Sequence, residues 1–205
     1  MIVKVCGLRD PENIRAVDRL AVDLCGFIFY PRSPRCVPDD ELHAEAVRSC
    51  RKPAAGVFVD ASPAEMLRTA GRFGLGWLQL HGDESPEACG ELRQRGFRII
   101  KAIRVAAAAD LAAARAYEDC ADYLLFDTRC DGYGGSGRRF DWRVLDAYTG
   151  HVPFLLSGGI DAGCADAVRG FAHPRFAGVD LNSGFETAPA VKDAGKLEEF
   201  IAKIQ

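Results

Sequence analysis

Met1-Ile2-Val3-Lys4-Val5-Cys6-Gly7-Leu8-Arg9-Asp10-Pro11-Glu12 is the stretch that decides the fold of this chain. Residues 2–6 read as a short strand. Cys6-Gly7-Leu8-Arg9 reads as a turn, and Asp10-Pro11-Glu12 as a helix start, with an N-cap before a proline at the first helical position. The turn lacks the glycine-rich fingerprint that a doubly wound open sheet, the alternative architecture, usually carries after its first strand. The same strand-then-helix unit recurs to the end of the chain. Strands are expected near 2–6, 23–29, 55–59, 76–80, 98–104, 122–126, 153–157 and 176–180. Helices are expected near 10–20, 39–50, 63–72, 85–94, 108–118, 142–148, 161–168 and 192–204. Eight β-α units of about 26 residues favour a closed (β/α)8 TIM barrel, read as one domain over residues 1–205. The strands are rich in Val, Ile, Leu and Phe, as expected when both faces of a parallel sheet are covered. Ser62-Pro63-Ala64-Glu65 and Ser85-Pro86-Glu87 repeat the helix-start signal.

Composition narrows the class. The chain has 205 residues, 48% hydrophobic and 27% charged, as in a globular protein with a sizeable core. A net charge of −3 argues against a general nucleic-acid binder, so an anionic substrate would need locally placed donors. No signal peptide or membrane-spanning run is read, and a cytoplasmic location is expected. The eight cysteines, at 6, 25, 36, 50, 89, 120, 130 and 164, show neither CxxC spacing nor a local Cys/His metal cluster. They are expected to be reduced thiols, most of them small apolar fillers. Neither metal nor cofactor is expected.

In a parallel α/β protein ligands bind outside the carboxyl ends of the strands. Cys6 ends the first strand and Asp127 ends the sixth, in Tyr123-Leu124-Leu125-Phe126-Asp127-Thr128. A thiol and a carboxylate at one rim make a base and an acid for moving a proton. Two plainer readings stand beside this: Cys6 as a buried filler and Asp127 as a turn cap. Cys6 alternates with Lys4, so both should point the same way, and the ammonium is expected to favour the thiolate. The connection from Thr128 to Asp141 holds four glycines and three arginines and reads as a binding loop or lid. Ser157-Gly158-Gly159 after strand seven and Asn182-Ser183-Gly184 after strand eight occupy the loops that usually cradle phosphate in a barrel. Arg32 and Arg35, in Tyr30-Pro31-Arg32-Ser33-Pro34-Arg35, either clamp a carboxylate or are solvated. His81 and Asp60, at the ends of strands four and three, are either ligands or hydrogen-bonded strand ends.

Taken together, these segments resemble the phosphoribosylanthranilate isomerases of tryptophan biosynthesis. The resemblance rests on Lys4-Val5-Cys6-Gly7-Leu8, Gly26-Phe27-Ile28-Phe29-Tyr30 with Ser33-Pro34-Arg35, Gly56-Val57-Phe58-Val59 and Leu78-Gln79-Leu80-His81-Gly82. It continues through Phe126-Asp127, Gly134-Gly135-Ser136-Gly137, Phe140-Asp141-Trp142, Leu156-Ser157-Gly158-Gly159-Ile160, Gly178-Val179-Asp180 and Ser183-Gly184-Phe185-Glu186, then Pro189 and Val191-Lys192-Asp193. These run in order from end to end. The resemblance implies an Amadori rearrangement of N-(5-phosphoribosyl)anthranilate to 1-(2-carboxyphenylamino)-1-deoxyribulose 5-phosphate. It implies Asp127 as general acid and Cys6 as general base. Arg35 would hold the anthranilate carboxylate, with His81 and Asp180 also binding substrate. Gly158, Gly159, Ser183 and Gly184 would hold the phosphate. The only partner implied is the small phosphorylated substrate, with no nucleic acid or membrane, in a monomer or homodimer. Arg9, Ser136 and Asn182 depart from the residues usual in the family at those places, and Arg9 is expected near the mouth of the site.

Other readings are weaker. An indoleglycerol-phosphate synthase should have an inward catalytic lysine, and Lys101 is only a partial echo. The histidine-pathway isomerase should end its first strand with aspartate, where this chain has Cys6. A non-catalytic barrel would tolerate loss of the thiol or carboxylate, and a thiol redox protein would want a resolving cysteine at motif spacing.

Overall fold

The structure, a computed structural model, describes residues 1–128 and 141–205. Eight parallel strands close into a barrel in sequence order: β1 (Ile2–Val5), β2 (Leu24–Ile28), β3 (Ala54–Phe58), β4 (Trp77–Leu80), β5 (Arg98–Val105), β6 (Tyr123–Thr128), β7 (Phe154–Leu156) and β8 (Phe176–Leu181). β1 closes the barrel against β8, with Lys4 opposite Asp180. The eight-strand expectation therefore holds, and the barrel sheet closes on itself without a free edge among the described residues.

Outside the barrel lie α1 (Pro11–Asp18), α2 (Glu41–Arg48), α3 (Pro63–Phe73), α4 (Pro86–Gln94), α5 (Ala165–Gly170) and α6 (Ala194–Ile204). The sequence caps work as read. Asp10 Oδ1 accepts from the Asn13 amide at 2.8 Å, and Ser62 and Ser85 accept from Glu65 and Ala88 at 3.3 Å. Alternation along the strands sorts side chains into two cores. Leu24, Ala55, Ile100, Ala102 and Leu125 fill the barrel floor with Trp77 and Tyr123 packed on them. Val3, Val5, Cys25, Phe27, Leu78, Leu80, Phe126 and their neighbours form the larger layer between sheet and helices.

Three expected helices differ in kind. The expected helix over 108–118 is a 3-10 helix, Ala108–Tyr117, and that over 142–148 is another, Trp142–Ala147. The reason is spacing: Leu111, Ala114 and Tyr117 recur every three residues, as do Trp142, Leu145 and Tyr148. A three-residue turn places each set on one face, where an α-helix would fan them apart. The expected helix over 161–168 divides into a 3-10 turn, Ala162–Cys164, capped by Asp161, and the short α5. One element escaped the sequence reading. β9 (Glu186–Ala188) and β10 (Val191–Lys192) form an antiparallel hairpin after the barrel closes. Asn13 of α1 fastens it, giving and accepting a 2.8 Å bond with the Lys192 backbone.

The glycine-rich connection lies largely outside the described residues. So do Cys130, Ser136 and the three arginines of that loop. The seven described cysteines are free thiols, with Cys6, Cys25, Cys89, Cys120 and Cys164 buried. Among the described residues no helix is long and apolar enough to cross a membrane.

Barrel closure rests on one glycine. A Cβ at Gly178 would stand 1.9 Å from the Ile2 carbonyl oxygen, a backbone atom of the adjoining strand. That seam cannot yield without opening the β1–β8 ladder. Gly178→Ala is expected to destabilise the protein by about 3 kcal/mol, near the upper end for overpacking. In thermal unfolding this is a fall in Tm of roughly 6–12 °C. A melting temperature unchanged within a degree or two would contradict the tight seam.

Candidate active site

Parallel strands deliver their carboxyl ends to one rim, and a cavity of about 310 Å³ opens there. Its walls include Cys6, Arg35, Gln79, His81, Asp127 and Asp180, with Ser157, Gly158, Gly159, Ser183 and Gly184 on one side. The volume is at the small end of the range for small-molecule sites. Every residue singled out above as catalytic, substrate-binding or phosphate-binding therefore reaches one cavity. Asp60 does not. It takes a positive φ of 52° after β3, its amide donates to Glu84 at 2.9 Å, and its Oδ1 accepts from the Asp83 amide at 2.6 Å.

Cys6 follows β1 directly and is 3% exposed. A Cβ on Gly26 of the next strand would come within 2.9 Å of its sulfur, so glycine there makes the room Cys6 needs. Lys4 points into the barrel as expected. It is fully buried and bonds Asp180 Oδ1 at 2.7 Å. Ser157 Oγ lies 3.4 Å from the other oxygen of Asp180. Lys4 favours the thiolate as expected, but it does not set the thiol's range alone. Burial pushes Cys6 above its ordinary range; Lys4 and Lys192 pull it down while Asp180 pushes it further up, and the net direction is upward. The ammonium of Lys4 does favour the thiolate, but its own pairing with Asp180 blunts that help and burial outweighs it. Burial also works against the charge on Lys4, yet Asp180 and Cys6 together keep it above the ordinary lysine range.

Asp127 is the fifth residue of β6 and so shares the inward face with Tyr123 and Leu125. Its Oδ1 accepts from the Thr128 amide at 2.9 Å, and its Oδ2 lies 3.3 Å from His81 Nε2. Gly158, at φ +81°, lies against this carboxylate: a Cβ there would fall 2.8 Å from Asp127 Oδ1 and 2.2 Å from Thr128 Oγ1. The two catalytic candidates thus line one cavity, one just after β1 and one near the end of β6.

Arg35 is not a loose surface arginine. Its Nε reaches Glu186 Oε1 at 2.8 Å and its Nη2 reaches Oε2 at 2.6 Å. Glu186 also accepts from Lys192 Nζ at 2.6 Å, and Lys192 donates to Asn182 Oδ1 at 2.7 Å. Burial would raise Glu186, but hydrogen bonds from Arg35 and Lys192 hold it below the usual carboxylate range. Burial holds Lys192 below the usual lysine range despite Glu186. Arg9 Nη1 donates to the Pro34 carbonyl at 3.0 Å, clipping the Arg35 loop to the turn after β1. The Glu186–Lys192 support escaped the sequence reading because Glu186 lies 151 residues from Arg35.

Lys101 points out of the barrel. It donates to Leu80 O, Gly82 O and Glu84 Oε2, and stacks near Tyr117, between the sheet and the outer layer. It is therefore not the inward lysine of a synthase. Among the described residues no group of three or more His, Cys, Asp or Glu side chains is placed to hold a metal ion.

The sequence model of the N-(5'-phosphoribosyl)anthranilate (PRA) isomerase family matches residues 3–203. The chain belongs to this family. It is 52% identical over 207 positions to the N-(5'-phosphoribosyl)anthranilate isomerase of Parabacteroides distasonis, covering 100% of this chain and 93% of that relative. Its fold superposes on the crystal structure of phosphoribosyl anthranilate isomerase from Thermotoga maritima with a TM-score of 0.83 at 31% identity, covering 100% of this chain and 98% of that one. A further crystal structure, of a phosphoribosyl anthranilate isomerase in complex with reduced 1-(o-carboxyphenylamino)-1-deoxyribulose 5-phosphate, matches with a TM-score of 0.80 at 28% identity, again over 100% of this chain and 98% of that one. The chain is a PRA isomerase of tryptophan biosynthesis.

Proposed function

We propose that this isomerase runs its rearrangement with Asp127 as general acid and Cys6 as general base, on a substrate held at its two anionic ends. The observation that carries the reading is the convergence of both groups on one cavity whose remaining walls suit a carboxylate and a phosphate. Asp127 gives its proton to the furanose ring oxygen of N-(5-phosphoribosyl)anthranilate. The C1–O bond breaks, and the anthranilate nitrogen supplies the electron pair that makes a Schiff base. Its positive nitrogen acidifies the C2 proton. Cys6, as thiolate, removes that proton, and the electron pair of the C2–H bond forms an enolamine. Protonation at C1 and loss of the hydroxyl proton at C2 give the ketone. Lys4 and Lys192 are the charges that make a thiolate accessible in so buried a place. The nitrogen of the substrate acts as the electron sink.

Arg35 offers the edge not used by Glu186 to the anthranilate carboxylate. Gly158, Gly159, Ser183 and Gly184 hold the phosphate, where two glycines of positive φ, +81° and +67°, let backbone approach the ligand. Asp180 orients a sugar hydroxyl beside the base. His81 contributes to the substrate wall beside the acid. The function is tested by following the loss of anthranilate-type fluorescence from freshly prepared phosphoribosylanthranilate. Rapid decay with the wild type supports it. No decay with a folded protein would refute it.

The role of Arg35 makes a prediction for Glu186. Glu186→Gln keeps the shape but loses the two-point grip on the guanidinium. KM is expected to rise about tenfold with kcat much less changed, the pattern of lost uniform binding. Glu186→Ala also leaves the buried Lys192 ammonium without its carboxylate and with only Asn182 to accept from it, at a cost of about 3 kcal/mol in stability. A Glu186→Gln enzyme with unchanged KM would contradict the support of Arg35 by Glu186.

A further inference from the structure

The cavity contains a buried polar side chain that the acid–base pair does not use directly. Gln79 is the third residue of β4, points into the barrel and is 1% exposed. Its Nε2 lies 2.8 Å from His81 Nδ1. His81 Nε2 lies 3.3 Å from Asp127 Oδ2. The three side chains form a row from the barrel interior to the acid, and all three line the cavity. Gln79 Oε1 is buried without a hydrogen-bond partner among the described residues. Its amide is thus spent on the histidine and not on the barrel wall.

An amide NH2 can only donate, so the imidazole nitrogen facing it must be a lone pair. That places the ring proton of neutral His81 on Nε2, the nitrogen that faces Asp127. From this geometry we infer that Gln79 is a positioning residue for catalysis, holding His81 as the neutral Nε2–H tautomer so that His81 orients Asp127. This inference rests on the reading of Asp127 as the acid.

The consequence is electrostatic. When Asp127 gives up its proton, a carboxylate forms in a half-buried place. The Thr128 amide already donates to Oδ1 at 2.9 Å, and His81 Nε2 stands at ion-pair distance, 3.3 Å, from Oδ2. Donors aimed in advance at a developing charge need no reorganisation when it appears. His81 Nδ1 faces Gln79 and Nε2 faces Asp127, so besides lining the substrate wall the ring bears on the acid.

Two variants and one spectrum test the inference. Gln79→Met keeps volume and removes the donor; kcat is expected to fall about tenfold, the worth of one hydrogen bond, with KM little changed. Gln79→Glu places an acceptor opposite Nδ1, pulls a proton onto it and holds the imidazole charged to higher pH. Its pH–rate profile is expected to shift, which a purely structural role for Gln79 would not produce. In ¹⁵N-imidazole NMR of the wild type, His81 is expected as neutral Nε2–H, and in Gln79→Glu as imidazolium or Nδ1–H. An Nδ1–H tautomer in the wild type would overturn the inference, as would wild-type kcat and pH profile in folded Gln79→Met and Gln79→Glu. If Asp127→Asn is inactive while the Gln79 variants behave as wild type, only this inference fails. If Asp127→Asn retains activity, the reading beneath it fails.

Discussion

Cys6→Ala is expected to lower turnover about 100-fold or more, with KM near that of the wild type. The size follows from the step that is lost. A positioned base contributes roughly 10²–10⁴-fold, and a hundredfold loss corresponds to ~2.7 kcal/mol of barrier. Alanine takes the place of cysteine without crowding, since the removed sulfur faces Gly26 and the cavity. Folding should therefore survive, and circular dichroism with thermal unfolding checks this. The groups proposed to bind substrate, at Arg35 and around Gly158 and Gly184, are untouched, so affinity should hold. The pH dependence has a definite sign. Burial raises the Cys6 thiol above its ordinary range, and the reaction needs the thiolate. Alkylation of Cys6 should therefore climb with pH only above the range of a free thiol. Lys4→Met removes a charge that lowers the thiol, so the ionisation seen by thiol alkylation should move still higher. Near-wild-type turnover in folded Cys6→Ala would remove Cys6 from the mechanism.

The second large effect is at Asp127. Asp127→Asn keeps an oxygen for the Thr128 amide and nearly the same volume, but it has no proton to give. Turnover is expected to fall about 100-fold or more, with KM much less affected. The loss should appear in ring opening. A folded Asp127→Asn protein with wild-type kcat would contradict this role. The two variants together should not lose the product of the single losses, because a site without either group retains only binding and orientation.

Much of this was legible in the chain because a parallel barrel turns sequence order into spatial order. Each apolar run ends at the same rim, so Cys6 and Asp127 could be placed at one mouth although 121 positions separate their numbers. What escaped reading depends on partners that periodicity does not carry. Lys4 and Asp180 pair across 176 residues at the closing seam, and Arg35 and Glu186 across 151. Lys192 arrives on a hairpin built after the barrel is complete, with Ala190 at a positive φ of 67° in its turn. The kind of helix was also hidden. Ala108–Tyr117 has the composition of an α-helix, and only the three-residue recurrence of Leu111, Ala114 and Tyr117 betrays the tighter coil. The help that Lys4 gives the thiol was legible, since the two alternate along one strand, whereas the burial that outweighs it belongs to the folded barrel.

The central claim assigns ring opening to Asp127 and C2 deprotonation to Cys6. Single-turnover conversion of substrate deuterated at C2 separates the two steps. In Cys6→Ser, a weaker base makes C2–H cleavage slow, and deuterium should reduce the rate several-fold. In Asp127→Asn, ring opening is slow and deuterium should leave the rate unchanged. A primary isotope effect in Asp127→Asn with none in Cys6→Ser would contradict the assignment.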